Sequence, residues 1–256
     1  MRPEVSSPLR GKHSIASFLV IGALLAVGRG TVAGDEPQAA PIPPDAKVTM
    51  EDVRPLQAEY FNFARIRPVG TPGIDSRDIA ADFVSGRKPD AIAPLESTSI
   101  DFPPGFEGVV VAAQDSTLGE FLKGDDGDTE GPLAATMSSR NIFVFRGFIE
   151  VPQAGTFSFR IPADDGAEIS IGGVVVHSHN QGGWYGPQNA GYMGRAEFSE
   201  AGIYPVEVLY WDKARDAGIE VYSDVNPAGE ARDLGGGVSL VLLPVLTGPA
   251  GKASAN

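Results

Sequence analysis

Residues 146 to 173 read Arg146-Gly-Phe-Ile-Glu-Val-Pro-Gln-Ala-Gly-Thr-Phe-Ser-Phe-Arg-Ile-Pro-Ala-Asp-Asp-Gly-Ala-Glu-Ile-Ser-Ile-Gly-Gly173. Phe157, Phe159 and Ile161 alternate with Thr156, Ser158 and Arg160, and a period of two puts one set on each face of a strand. A second apolar run follows an acidic turn, so Asp164 and Asp165 are lifted to the rim of a sheet. Such a rim pair is where a sheet protein would hold a metal ion or a polar ligand.

Outward from this stretch the punctuation stays β-like. Short apolar or alternating runs are bounded by Gly, Pro, Asp and Asn, and no long amphipathic helix interrupts them. Strands are expected over 57–63, 98–102, 108–112, 141–151, 156–161, 168–171, 174–177, 195–198, 204–211, 218–222 and 238–246. In the run 204–211, Tyr204, Val206, Val208 and Tyr210 oppose Pro205 and Glu207. Short helical turns fit 79–84 and 118–122. Many short strands at this spacing predict an all-β fold, an antiparallel barrel or sandwich.

The amino end carries Arg2, Arg10 and Lys12 before an apolar run from Ser14 to Val27, and Thr31-Val32-Ala33 offers small residues for cleavage after Ala33. This is the layout of a secretory signal peptide over residues 1–33. The run is short of the ~20 residues of a bilayer span, so an integral membrane protein is not expected. Export leaves a periplasmic, secreted or cell-surface protein. Residues 34–54, with four prolines between Pro37 and Pro44, read as an extended linker. The β domain is expected over 55–246 and a flexible tail over 247–256.

Cleavage would remove four of the 20 basic and one of the 33 acidic residues, leaving 16 against 32 and a net charge of −16. That surface repels phosphate backbones, which argues against nucleic acid as a partner. Cations and neutral polyols suit it better. With no cysteine there is no disulfide, so the core, with any bound metal, must hold the fold.

Several pieces occur in one order: Leu56-Gln-Ala-Glu-Tyr-Phe61, then Gly147 to Phe159, Asp164-Asp165-Gly166, Ile169-Ser-Ile-Gly-Gly173 and Glu200-Ala-Gly-Ile-Tyr-Pro-Val-Glu-Val-Leu-Tyr210. This order resembles the PA14 domain, a β module of toxins, adhesins and flocculins that is also inserted in secreted glycosidases. The resemblance covers roughly Leu56 to Ser223. It implies that the Asp164-Asp165 turn holds a calcium ion through a cis peptide, since neighbouring side chains of a trans extended backbone point to opposite faces. It also implies that a loop entered after Tyr210-Trp211 adds Asp212, with Ala214 and Asp216 as carbonyl donors, and that the ion meets two vicinal hydroxyls of a sugar. Calcium takes six to eight oxygens, which suits this donor set. Two positions depart from the family pattern: Gly172 stands where Asp is frequent, and Asp212 replaces an Asn in a loop one residue longer before Gly218.

Other constellations admit two readings each. Asp126, Asp128 and Glu130 before Gly131 form the first half of a calcium loop, but Met137 stands where its bidentate Glu belongs, which favours a solvated acidic insertion. His177 and His179 share one strand face, as in a zinc or copper site, or are ordinary histidines with no third ligand nearby. The segment from Asn180 to Tyr192 mixes aromatics, amides and glycines. Within it Trp184, Tyr185 and Asn180 suit stacking and hydrogen bonding to a sugar, and Trp184 equally suits plugging the domain. Asp164 and Asp165 are adjacent, whereas glycosidase carboxylates flank the scissile bond ~5–9 Å apart. With no Gly-x-Ser-x-Gly elbow, no cysteine nucleophile and no His-Glu-x-x-His, an enzyme is not expected. The expected function is a calcium-dependent module that binds a glycan or cell-surface polysaccharide in adhesion. The alternative is a structural β module that packs against envelope proteins.

Overall fold

A computed structural model describes residues 38–63, 74, 76–103, 118–122, 140–179, 193–213, 217–234 and 237–248. In chain order the strands are β1 (Ala40–Ile42), β2 (Gln57–Phe61), β3 (Ala91–Pro94), β4 (Asp101–Phe102), β5 (Ile142–Val151), β6 (Gly155–Arg160), β7 (Ala163–Asp164), β8 (Gly166–Ile171), β9 (Val174–His179), β10 (Gly194–Phe198), β11 (Gly202–Trp211), β12 (Gly218–Glu220), β13 (Tyr222–Ser223), β14 (Arg232–Asp233) and β15 (Ser239–Leu242). Two short helices are α1 (Arg77–Val84) and α2 (Leu118–Phe121). None is long and apolar enough to cross a membrane among the described residues.

The strands form two six-stranded sheets, β3-β2-β5-β11-β8-β9 and β1-β10-β6-β13-β15-β14, and a small sheet β4-β12-β7. All pairings are antiparallel except β1 on β10. Each large sheet ends in two unclosed edges, so of the two expected architectures the described strands make a sandwich. The inner faces meet in one core that joins Phe157, Phe159 and Phe198 of one sheet to Phe143, Phe145, Ile169, Tyr204 and Tyr210 of the other. The Phe198 and Tyr204 rings cross between them with centroids 4.9 Å apart. Each large apolar side chain buried this way contributes about 1.5–3 kcal/mol.

The alternation read from β11 holds: Tyr204, Val206, Val208 and Tyr210 are buried and Glu207 is exposed. In β6 it holds for the phenylalanines but not for Arg160, which is buried with Nη1 donating to Leu234 O at 2.6 Å. The later chain explains this. Tyr222, Leu234 and Leu240 form a small second layer over that outer face. On the other sheet α1 covers part of the outer face, where Phe63, Ala80 and Phe83 pack on Ile142, Val144, Leu209 and Trp211. Ser76 caps this helix, and Arg77 clasps Glu168 of β8 through Nε and Nη2, both at 2.9 Å.

The expected linker is corrected over much of its length. β1 joins the sheet edge beside β10, Val48 bridges Ile203, and Ile42 and Val53 are buried. An edge position suits Pro41, which has no N–H to donate to a further strand. The docked segment also explains Gly172. Its φ is +57° and that of Gly173 is +80°, the geometry of a tight hairpin turn, and a Cβ on Gly172 would come within 2.7 Å of the Ala46 Cβ. An aspartate has no room there. The expected strand 218–222 divides at Val221, whose N–H donates to Ile100 O at 3.0 Å, so that β12 and β13 lie in different sheets. At the carboxyl end Val245 and Leu246 donate to Thr98 O and Phe148 O. Gly248 still lies against the Val53 main chain, so the expected tail does not begin at 247. The expected strand 108–112 and residues 1–37 lie outside the described residues.

Candidate functional site

Asp164 ends β7 and Gly166 opens β8, so Asp165 sits where the chain passes from the small sheet to a large one. The Asp164-Asp165 peptide is cis, as the resemblance implied. Gly166 pairs with Trp211, and a Cβ on it would fall 2.1 Å from the indole Cζ2. Only glycine lets the indole lie over the turn.

Hydrogen bonds from both main chain and side chains join this turn to the loop after β11. The Asp165 N–H donates to Trp211 O at 3.2 Å, and the Lys213 N–H donates to Asp165 Oδ2 at 2.5 Å. The Tyr210 hydroxyl donates to Asp164 O at 2.6 Å and accepts from the Gly218 N–H at 2.9 Å. One phenol thus ties both ends of the loop 212–217 to the aspartate turn. Asp212 is anchored separately. Its N–H donates to Asn141 O at 3.0 Å, and its Oδ2 accepts from Arg140 N at 2.7 Å. Asn141 is held in turn by the Tyr60 hydroxyl at 2.9 Å.

Asp164, Asp165 and Asp212 are 8%, 6% and 0% exposed. Burial pushes the Tyr210 phenol well up, and the carboxylates of Asp212, Asp164 and Asp165 push it in the same direction. It therefore stays protonated and able to donate. All three acids bear on one hydroxyl, so the rim is a region of concentrated negative potential. Carboxylate and carbonyl oxygens are the hard donors that calcium takes, in contrast to the nitrogen and sulfur ligands typical of zinc. Among the described residues, however, no group of three or more His, Asp or Glu side chains is drawn close enough to hold a metal ion alone. An ion here would need main-chain carbonyls or water beside the carboxylates. Ala214 and Asp216 lie outside the described residues, as do Trp184, Tyr185 and Asn180 and the acidic insertion at 126–130.

His177 and His179 do share one face of β9, paired with Ile169 and Ala167, and that face turns inward. Burial holds both imidazoles down to about 4, with Arg160 adding for His177 and His177 adding for His179. They are neutral at pH 7. The clasp made by Tyr210 and the support from Asn141 were not anticipated from sequence. Tyr210 was legible as a core position, but nothing in its spacing gives its hydroxyl two partners.

A model of the PA14 domain family matches residues 95–231. No curated protein matches the chain by sequence. Among solved structures, the PA14 domain of the MpAFP antifreeze protein is similar at 19% identity and a TM-score of 0.51, covering 76% of this chain and 92% of that one. A PA14 sugar-binding domain from an RTX adhesin is 21% identical, with a TM-score of 0.43 over 67% and 89% of the two chains. The A domain of epithelial adhesin 9 from Candida glabrata, in complex with Galb1-4GlcNAc, is 15% identical, with a TM-score of 0.44 over 81% and 95%.

Proposed function

From the premise that the chain belongs to the PA14 domain family, we propose that it is an exported, non-catalytic carbohydrate-binding or adhesion module that works through calcium at the rim described above. The observation that carries this reading is the stitching of a buried double-aspartate turn to the loop after Trp211 by Tyr210 and Lys213. Asp164, Asp165 and Asp212 would hold the ion, with Ala214 and Asp216 as the remaining candidate donors. When bound, calcium would supply open coordination positions for two vicinal hydroxyls of a sugar. The chain's own part is to fix the two loops at one spacing, through Tyr210 and Asn141, so that the donors need little reorganisation. Trp184, Tyr185 and Asn180 are the proposed contacts to the sugar beyond the ion. Affinity for a single sugar should be weak, because a small rim site buries little area. A secreted, periplasmic or cell-surface location follows from the amino-terminal leader pattern.

The test is retention on a glycan array with calcium and with excess chelator, for the wild type and Asp165→Asn. The asparagine keeps an oxygen to accept from Lys213 and removes the charge. Chelator-sensitive retention that disappears in Asp165→Asn is the expected result. Unchanged calcium-dependent retention in that variant would remove the ion from this turn, and the absence of any glycan retention would favour packing against envelope proteins.

A further inference from the structure

The described residues cover only part of the outer face of the sheet β3-β2-β5-β11-β8-β9. The α1 cluster lies over Ile142, Val144, Leu209 and Trp211. Beyond it, four strands in register present Gln57, Arg146, Glu207 and Ser170 as one cross-strand row. Phe148 and Pro205 pair beside the row, and Arg54 stands on one bank. Together they line a groove of about 430 Å³, within the ~300–1,000 Å³ of small-ligand sites.

The chemistry of the groove selects its ligand. Arg146 is held between two carboxylates, contacting Glu59 through Nη1 and Glu207 Oε2 through Nε at 2.8 Å. Its charge is already matched, so the groove has little call for an anion. Both partners of the second pair are nonetheless nearly half exposed, 45% and 47%, which leaves oriented N–H donors and carboxylate lone pairs side by side. Gln57 and Ser170 extend the same alternation of donors and acceptors. Arg54 is fixed by donating to Glu51 O and Val53 O. Phe148 and Pro205, both half-buried, add apolar lining. Oriented donors and acceptors in a row, with apolar side chains beside them, match a ligand that has hydroxyls on its rim and C–H groups on its face.

We propose that this groove is a second carbohydrate site, independent of metal, that takes a neutral oligosaccharide against the sheet face. It uses none of the rim residues, so it stands or falls apart from the calcium reading. The experiment is retention on an array of short neutral gluco-, xylo-, manno- and galacto-oligosaccharides in excess chelator, with melting temperatures recorded for every variant. Expected is retention of at least one series under these conditions. Glu207→Ala should weaken it by about tenfold or more, the scale of one or two lost ligand hydrogen bonds, and Ser170→Tyr, which fills the groove from a half-buried position, should do the same. Phe148→Ala tests the apolar lining. No chelator-resistant retention on any series would overturn the proposal, as would retention unchanged in a folded Ser170→Tyr protein.

Discussion

At the scale of the residue, Gly166 and Tyr210 set the geometry of the rim, and each by a contact that a single atom decides. An added methyl at Gly166 meets the Trp211 indole at 2.1 Å. Gly166→Ala is expected to cost about 1–3 kcal/mol through overpacking, read as a lower denaturant midpoint. Tyr210→Phe removes one oxygen that serves both Asp164 O and Gly218 N. Losing these two buried hydrogen bonds should cost about 1–3 kcal/mol, and under the proposed calcium reading the affinity for the ion should fall with it, measurable by titration calorimetry. The histidines on β9 make a third prediction. Their imidazoles titrate at about 4 when folded, against an ordinary 6.5, so between those values the unfolded chain binds more protons. Their contribution is whole above pH ~6.5 and is lost as pH falls toward 4, on the order of 3 kcal/mol for each imidazole. Glu220, whose carboxyl is raised first by burial, has the opposite sign. The test is therefore the difference between wild type and His177→Asn/His179→Asn, whose stability should depend less steeply on pH over this range.

Among the elements, those that the sequence made legible are the ones with two contrasting faces. β6 and β11 alternate because one face enters the core, and the double aspartate between two such runs could only be a turn. What escaped has a physical cause in each case. β1, β3, β7 and β14 are two to four residues long and rich in Ala, Pro or charge, so they carry no period. Arg160 is polar and buried because a later segment covers it, which no local pattern records. The aspartates of the candidate site could be named from sequence, but the hydrogen bonds that bring 164–165 to 210–213 could not, because they join positions 46 and 48 residues apart. β1 gives a prediction of its own. Ile42 is 3% exposed, so Ile42→Ala should destabilise by about 2–4 kcal/mol, whereas a linker residue would tolerate the change. The α1 clasp behaves likewise: Arg77→Ala leaves Glu168, whose side chain is 10% exposed, without its bidentate partner, and should lower stability by about 1–3 kcal/mol.

For the whole molecule, the sandwich is a platform with chemistry at two places: an acidic rim, where the small sheet meets the larger ones, and a charge-matched groove on the part of one outer face that the described residues leave uncovered. A net charge of −13 draws cations toward the rim and raises the local concentration of any divalent ion. With no cysteine to cross-link the fold, a bound ion joining two loops would add directly to stability. That coupling is the most direct handle on the central claim. The measurement is the melting temperature of the purified protein in millimolar calcium and in chelator, for wild type and Asp165→Asn. Calcium at 100 times its dissociation constant adds about 2.7 kcal/mol to the folded state, a rise of about 5–10 °C for a domain of this size. The account predicts that rise in wild type and its loss in Asp165→Asn. The same melting temperature with and without calcium in wild type would contradict it.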